Sequence, residues 1–183
     1  MLVGSHASYE PPASCKRLLG AVASLLKNDK TVILRYLTGA RHICILPGGE
    51  LYFESKLDLD SDGSVYAAQD KTGQTATSLR YADTKSVDAD RIQFFVLPGG
   101  FYHQFHINLG DVAAILYQGR LAFAVFADVG PAHKIGEGSI ALHRALAHET
   151  VRDGRLMMWE LRRVWLRLLS RGLGIAHRRL PSG

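Results

Sequence analysis

Short apolar or β-branched runs make up most of this chain, and Gly- and Pro-containing turns cut them off before any becomes long. Ile43–Leu46 stops at Pro47-Gly48-Gly49, and Arg91–Leu97 stops at Pro98-Gly99-Gly100. Val112–Tyr117 and Leu121–Phe126 flank Gln118-Gly119-Arg120. Proline lacks a ladder donor and glycine admits positive φ, so each such turn ends a strand. The last two runs read as a hairpin. Thr31–Leu37 and Leu51–Leu57 are further candidate strands. Two segments read as helices: Ala13–Asn28, with Leu18, Leu19, Val22, Leu25 and Leu26 at helical spacing, and Ser139–His148, with Ser139 as N-cap. Asp58–Gly63 reads as an acidic loop and Asp70–Asp90 as a long surface loop. Many short strands with few helices predict a mainly β fold with added helices (α+β), arranged as a small barrel.

The length of 183 residues suits one domain with a sizeable core. No run of 18 apolar residues is present, so no membrane span is expected. The formal net charge of +5 is uneven along the chain. Residues 1–151 carry 14 Lys+Arg against 15 Asp+Glu, whereas residues 152–183 carry 8 against 2. Basicity therefore belongs to the tail, and no nucleic-acid partner is inferred from it. Cys15 and Cys44 are too few for a disulfide framework and match no metal spacing; both are expected to be free. The organisation expected is a lead-in over 1–49, a catalytic core over 50–151, and a basic, helical tail over 152–183.

The chemistry-bearing segment runs from Phe123 to Ser139. An apolar strand leads into Asp128, a Gly130-Pro131 loop follows, and Glu137 comes nine residues after Asp128. Cleavage of a glycosidic bond needs two carboxyl groups, one to protonate the leaving oxygen and one to activate water or attack. A strand end and the loop after it can set such a pair across a cleft. On spacing alone, two solvated surface acids are the commoner reading.

Further motifs run in order with this pair. They are Asp58-Leu-Asp60-Ser-Asp62-Gly63, Thr77-Ser78-Leu79, Phe94-Phe95-Val96-Leu97-Pro98-Gly99, Leu109-Gly110-Asp111, Ala127-Asp128-Val-Gly130-Pro131 and Ile135-Gly136-Glu137-Gly-Ser139. Across about 100 residues this series resembles the family 75 chitosanases among glycoside hydrolases. Ser61 replaces a Cys of fungal members and Ala127 a Gly, which points to a bacterial-type or divergent member. The resemblance implies an endo-acting hydrolase of β-1,4 bonds in chitosan, with inversion at the anomeric carbon. It implies Asp128 and Glu137 as catalytic residues, no cofactor, a monomer and a secreted site of action. Met1–Glu10 shows no basic stretch leading into an apolar run, so no secretion signal is read there. The Asp128–Ser139 arrangement also resembles double-psi β-barrel proteins, which implies six barrel strands. By that analogy Glu137 is the acid and Asp128 the base or a supporting carboxylate.

Asp58, Asp60, Asp62 and Gly63 look like the opening of a calcium loop, but Gln69 stands where a bidentate Glu belongs. An acidic rim facing a polycationic substrate is expected instead, with no metal. His103 and His106 are expected on the surface or in packing, and Ser139 as a cap rather than a nucleophile. In the tail, Leu161, Val164, Trp165, Leu168 and Gly172 mark one face of a basic amphipathic helix. A second reading is a shifted reading frame that has replaced the last barrel strand and left an open edge. Competing functions are a peptidoglycan-type wall hydrolase and a non-catalytic carbohydrate-binding or wall-loosening module.

Overall fold

The computed structural model describes residues 40–45, 51–132, 134–146, 148–158 and 160–168. The expected helix Ala13–Asn28, the strand Thr31–Leu37 and Cys15 lie outside them. The strands are β1 (Ala40–Ile45), β2 (Leu51–Asp60), β3 (Phe94–Pro98), β4 (Val112–Tyr117), β5 (Arg120–Gly130), β6 (Glu137–Ser139), β7 (Val151–Arg152), β8 (Arg155–Leu156) and β9 (Glu160–Leu168). Two short helices, α1 (Phe101–Gln104) and α2 (Ile140–Ala145), and a 3-10 turn at Ala67–Gln69 complete the fold.

Six strands close on themselves in the order β2-β6-β3-β5-β4-β9, with β9 pairing back onto β2, and β1 is added against β2. This is the small six-stranded barrel expected, mainly β with few helices. The β4–β5 hairpin turns through Gln118 (φ 47°) and Gly119 (φ 79°). Two positive φ values match the right-handed strand twist, which is why a Gly-containing pair sits there. Ser139 caps α2 by accepting the Leu142 N–H.

Inward alternation fills the barrel. Phe53, Leu57, Phe95, Leu97, Ile115, Phe126, Leu161, Val164, Leu166 and Leu168 are buried together with Ala113, Ala122 and Ala124. The alanines leave room for the rings, and Phe95 stacks on Phe126 at 5.7 Å. A second cluster lies on the outer face, where Leu59, Phe94, Val96, Ala127 and Ile140 meet Val87 and Ala89 of the long loop.

Two expectations are corrected. The reading of Asp58–Gly63 as loop fails at its start, because β2 continues to Asp60. Parallel pairing with β6 supplies ladder partners there, and Leu57 and Leu59 are buried on either side of Asp58. The tail is not helical over Glu160–Leu168, nor is the barrel edge open. β9 forms that edge, pairing with β2 and with β4. Leu161 and Val164 are three apart, which imitates a helical face. In the structure Arg162-Arg163 stand opposite the single residue Lys56, and this bulge returns both apolar residues to the interior.

His143 on α2 is fully buried. Burial pulls its imidazole down to about 4; His148 adds to this and Asp58 opposes it. The unfolded chain then binds the proton that the native state refuses between about 6.5 and about 4. Stability from this group is present above that window and falls as pH drops through it, by roughly 3 kcal/mol in all. Urea titrations from pH 7 to pH 4 should show His143→Leu losing less stability than the parent. A second outcome concerns β9. Its four buried aliphatic residues contribute roughly 1.5–3 kcal/mol each, comparable to the whole stability of a domain. A chain ending before Glu160 should lose cooperative thermal unfolding by circular dichroism.

Candidate active site

The short strand β6 organises the site. It runs parallel to β2, with Asp58 opposite Glu137 and Asp60 opposite Ser139, and antiparallel to β3, with Val96 opposite Glu137. On the other side of β3, Val96 stands opposite Asp128 of β5. Asp128 and Glu137 are thus the two lateral neighbours of one residue, two strand spacings apart, or roughly 10 Å between backbones. A register shift brings this about. Phe95 pairs with Phe126, yet Val96 pairs with Asp128, so Ala127 is the extra residue. Without it Asp128 would follow Phe126 into the barrel interior; with it the carboxylate joins Val96 on the outer face.

Two glycines make the arrangement possible. A Cβ on Gly130 would lie 2.9 Å from both Glu137 Oε2 and Val96 Cγ1, so the Glu137 carboxylate reaches across β3 above a bare backbone. Gly136 has φ +87°, and a Cβ there would meet Lys56 O at 2.0 Å. Its carbonyl accepts the Asp58 N–H at 2.8 Å, which locks the start of β6 onto β2.

Asp128 is held by the long loop. Its Oδ1 accepts the Ser78 N–H at 2.9 Å, the Ser78 hydroxyl at 2.5 Å and the Val129 N–H at 2.8 Å. The Leu79 N–H donates to Ala127 O at 2.8 Å and ties loop to strand. Sequence reasoning did not pick out Ser78 as a site residue. Its only signal was a place in the motif series, because a loop serine 50 positions away shows no spacing relation to its partner.

The three aspartates of the acidic motif do not form one open rim, which corrects that expectation. Asp60 and Asp62 are buried beside Asp128, with 9%, 7% and 6% of their surfaces exposed. One carboxylate oxygen from each lies within 4.8 Å of the others. The Asp62 N–H donates to Asp60 Oδ1 at 2.8 Å, and Asp62 Oδ1 accepts the Gln74 N–H at 2.6 Å. Burial, then the charges of Asp62, Asp128 and Glu137, pushes Asp60 well above the usual carboxylate range. Burial, with the charge of Asp128 beside it, pushes Asp62 up to about 7, against the hydrogen bond from the Gln74 N–H. Three acids so close relieve their repulsion by keeping protons or by gathering around a cation. Gln69, the twelfth position of the calcium-loop reading, faces elsewhere: its amide donates to Gly154 O and accepts the Leu156 N–H.

Asp58 is separate from this cluster. Burial would raise its pKa, but Lys56 at 2.7 Å and Lys134 at 3.2 Å outweigh burial and hold it low. Lys134 also lies 2.6 Å from Glu137 Oε1. Burial would weaken its proton, and the two carboxylates outweigh this and raise its pKa. Ser139 accepts the Phe94 N–H and donates to Ile92 O, so it is a structural cap. His103 and His106 are exposed.

A closed six-stranded barrel with two carboxyl groups on the strands that flank β3, one beside two further acids and one ion-paired, has the parts of a glycosidase. Residues 57–156 match the profile described as fungal chitosanase of glycosyl hydrolase group 75. That span is more than half of the chain, and the chain belongs to this family of glycosidases. No curated protein sequence matches it.

The raised Asp62 pKa has a consequence for stability. The native state binds the Asp62 proton up to about 7, whereas an unfolded Asp releases it near 3.8. Stability from this group is therefore full below 3.8 and is lost as pH rises towards 7. Asp62→Asn removes that loss, so the difference in urea midpoint between variant and parent should move in the variant's favour from pH 4 to pH 7.

Proposed function

We propose that this glycosidase cleaves β-1,4 bonds within chitosan chains by a single inverting displacement, using Asp128 and Glu137. The observation that carries the reading is the placement of these two carboxyl groups on either side of Val96. Inverting enzymes separate their carboxyl groups by about 6.5–9.5 Å to admit a water molecule, and neighbours two strand spacings apart can span such a gap.

The surroundings favour Asp128 as the acid and Glu137 as the base, the reverse of the double-psi analogy. All three donors to Asp128 converge on Oδ1, and Asp62, which keeps its proton up to about 7, lies beside the same carboxyl group as a proton source. Glu137 touches an ammonium, the setting of a carboxylate ready to accept a proton. In the displacement Glu137 takes a proton from water, whose oxygen bonds to the anomeric carbon. The carbon–oxygen bond to the leaving sugar breaks, and Asp128 gives that oxygen its proton. Exchange with solvent then resets both groups. A polymeric substrate such as chitosan places the site of action outside the cell.

Reducing-end release from soluble chitosan tests the proposal. Asp128→Asn and Glu137→Gln should each lower kcat by about 100-fold or more, the usual effect of removing a general acid or base. Proton NMR during the first turnovers should show the α-anomer appearing first. Initial β-anomer, or near-parental turnover in either variant, would overturn the assignment.

A further inference from the structure

The loop between β5 and β6 carries one cation into the site. Lys134 Nζ lies 2.6 Å from Glu137 Oε1 and 3.2 Å from Asp58 Oδ2, and those two acids are strand partners. Asp58 is itself anchored by Lys56 at 2.7 Å, and Lys56 reaches Glu160 of β9 at 3.5 Å. A chain of alternating charges therefore runs from the strand that closes the barrel to the Glu137 carboxylate. We propose that Lys134 is a positioning residue for catalysis: braced on Asp58, it fixes the Glu137 carboxylate over Gly130.

Three features of the geometry support this. Gly130 offers no side chain to hold Glu137 laterally, and a Cβ would collide with Oε2, so the constraint has to come from the Oε1 side. Lys134 contacts Oε1 and leaves Oε2 turned towards the strand that carries Asp128. Both partners are largely withdrawn from water, with 34% of the Lys134 side chain and 13% of the Glu137 side chain exposed. A partly buried pair is screened less by salt than a surface pair. The charged groups around Glu137 are Lys134 from the loop, Asp58 and Asp60 from β2 and Asp128 from β5, with His143 of α2 acting on Asp58. Lys134 is the cation in this set that touches Glu137. An ammonium in contact with a carboxylate favours the charged form over the protonated one.

The inference rests on Glu137 acting as the base, and the test separates the two claims. Lys134→Met keeps the length of the side chain and removes its charge, whereas Lys134→Arg keeps the charge. Parent, both variants and Glu137→Gln are compared by kcat and KM on a chitosan oligomer from pH 4 to pH 8, with thermal melts as a folding control. Lys134→Met should lower kcat about 10-fold or more with little change in KM, and move the acidic limb of the kcat profile to higher pH. Lys134→Arg should restore the limb and much of the rate. A Lys134→Met enzyme with the parental profile overturns the proposal. So does one whose melting temperature falls while the profile stays put, or whose KM falls at unchanged kcat; the last would make Lys134 a placeholder for the substrate's own ammonium. Near-parental activity in Glu137→Gln would instead remove the underlying role of Glu137.

Discussion

The pairing of β9 with both β2 and β4 is the interaction on which the rest of this structure depends. It turns an open sheet into a ring with no exposed edge within the barrel. Closure places Leu161, Val164, Leu166 and Leu168 against Phe53, Phe95 and Phe126 and excludes water from the interior. It also holds β2 extended past the end of its apolar stretch. Asp58 and Asp60 are strand residues because β9 and β6 flank β2 there, Glu160 opposite Asp58 on one side and Glu137 on the other. The catalytic face thus takes its geometry from a strand that carries none of the proposed catalytic groups.

Charge at the site is divided in two. On one side, Asp60, Asp62 and Asp128 are crowded and buried, and burial pushes Asp60 and Asp62 to retain their protons. On the other, Asp58 pairs with Lys56 and Lys134, and Glu137 pairs with Lys134. Only β3 separates the two halves, with Val96 between them. Groups of one chemical type, Asp62 and Asp58, are thus pushed in opposite directions by what surrounds them. Gly130 has no side chain, and the Glu137 carboxylate and Val96 pack against its bare backbone.

The tail shows how local pattern misleads. Leu161, Val164 and Leu168 fall at helical intervals, and arginines occupy the positions between. A strand with one bulge gives the same list of buried residues, because the extra residue absorbs the odd step. Periodicity in a nine-residue segment cannot distinguish these, and the available partners decide. Two strands with unpaired backbone groups were waiting on either side of the gap, so the segment is extended.

The amino-acid sequence by itself determined the class of fold, the β4–β5 hairpin, the cap at Ser139 and the order of motifs that marks the family. Each depends on residues close together in the chain: Gln118-Gly119 for the turn, the Ser139 hydroxyl for the Leu142 N–H, alternation for the strands. It also pointed to Asp128 and Glu137, through a spacing and a resemblance. Tertiary structure alone decided that Asp60 and Asp62 are buried beside Asp128, that Ser78 holds that carboxylate, that Lys134 joins Asp58 to Glu137, and that β9 closes the barrel. Ser78 and Asp128, Asp58 and Lys134, and β2 and β9 are tens of positions apart, and the fold of the sheet brings them together. One extra residue at Ala127 changes which face a carboxylate occupies, and no local propensity records that step.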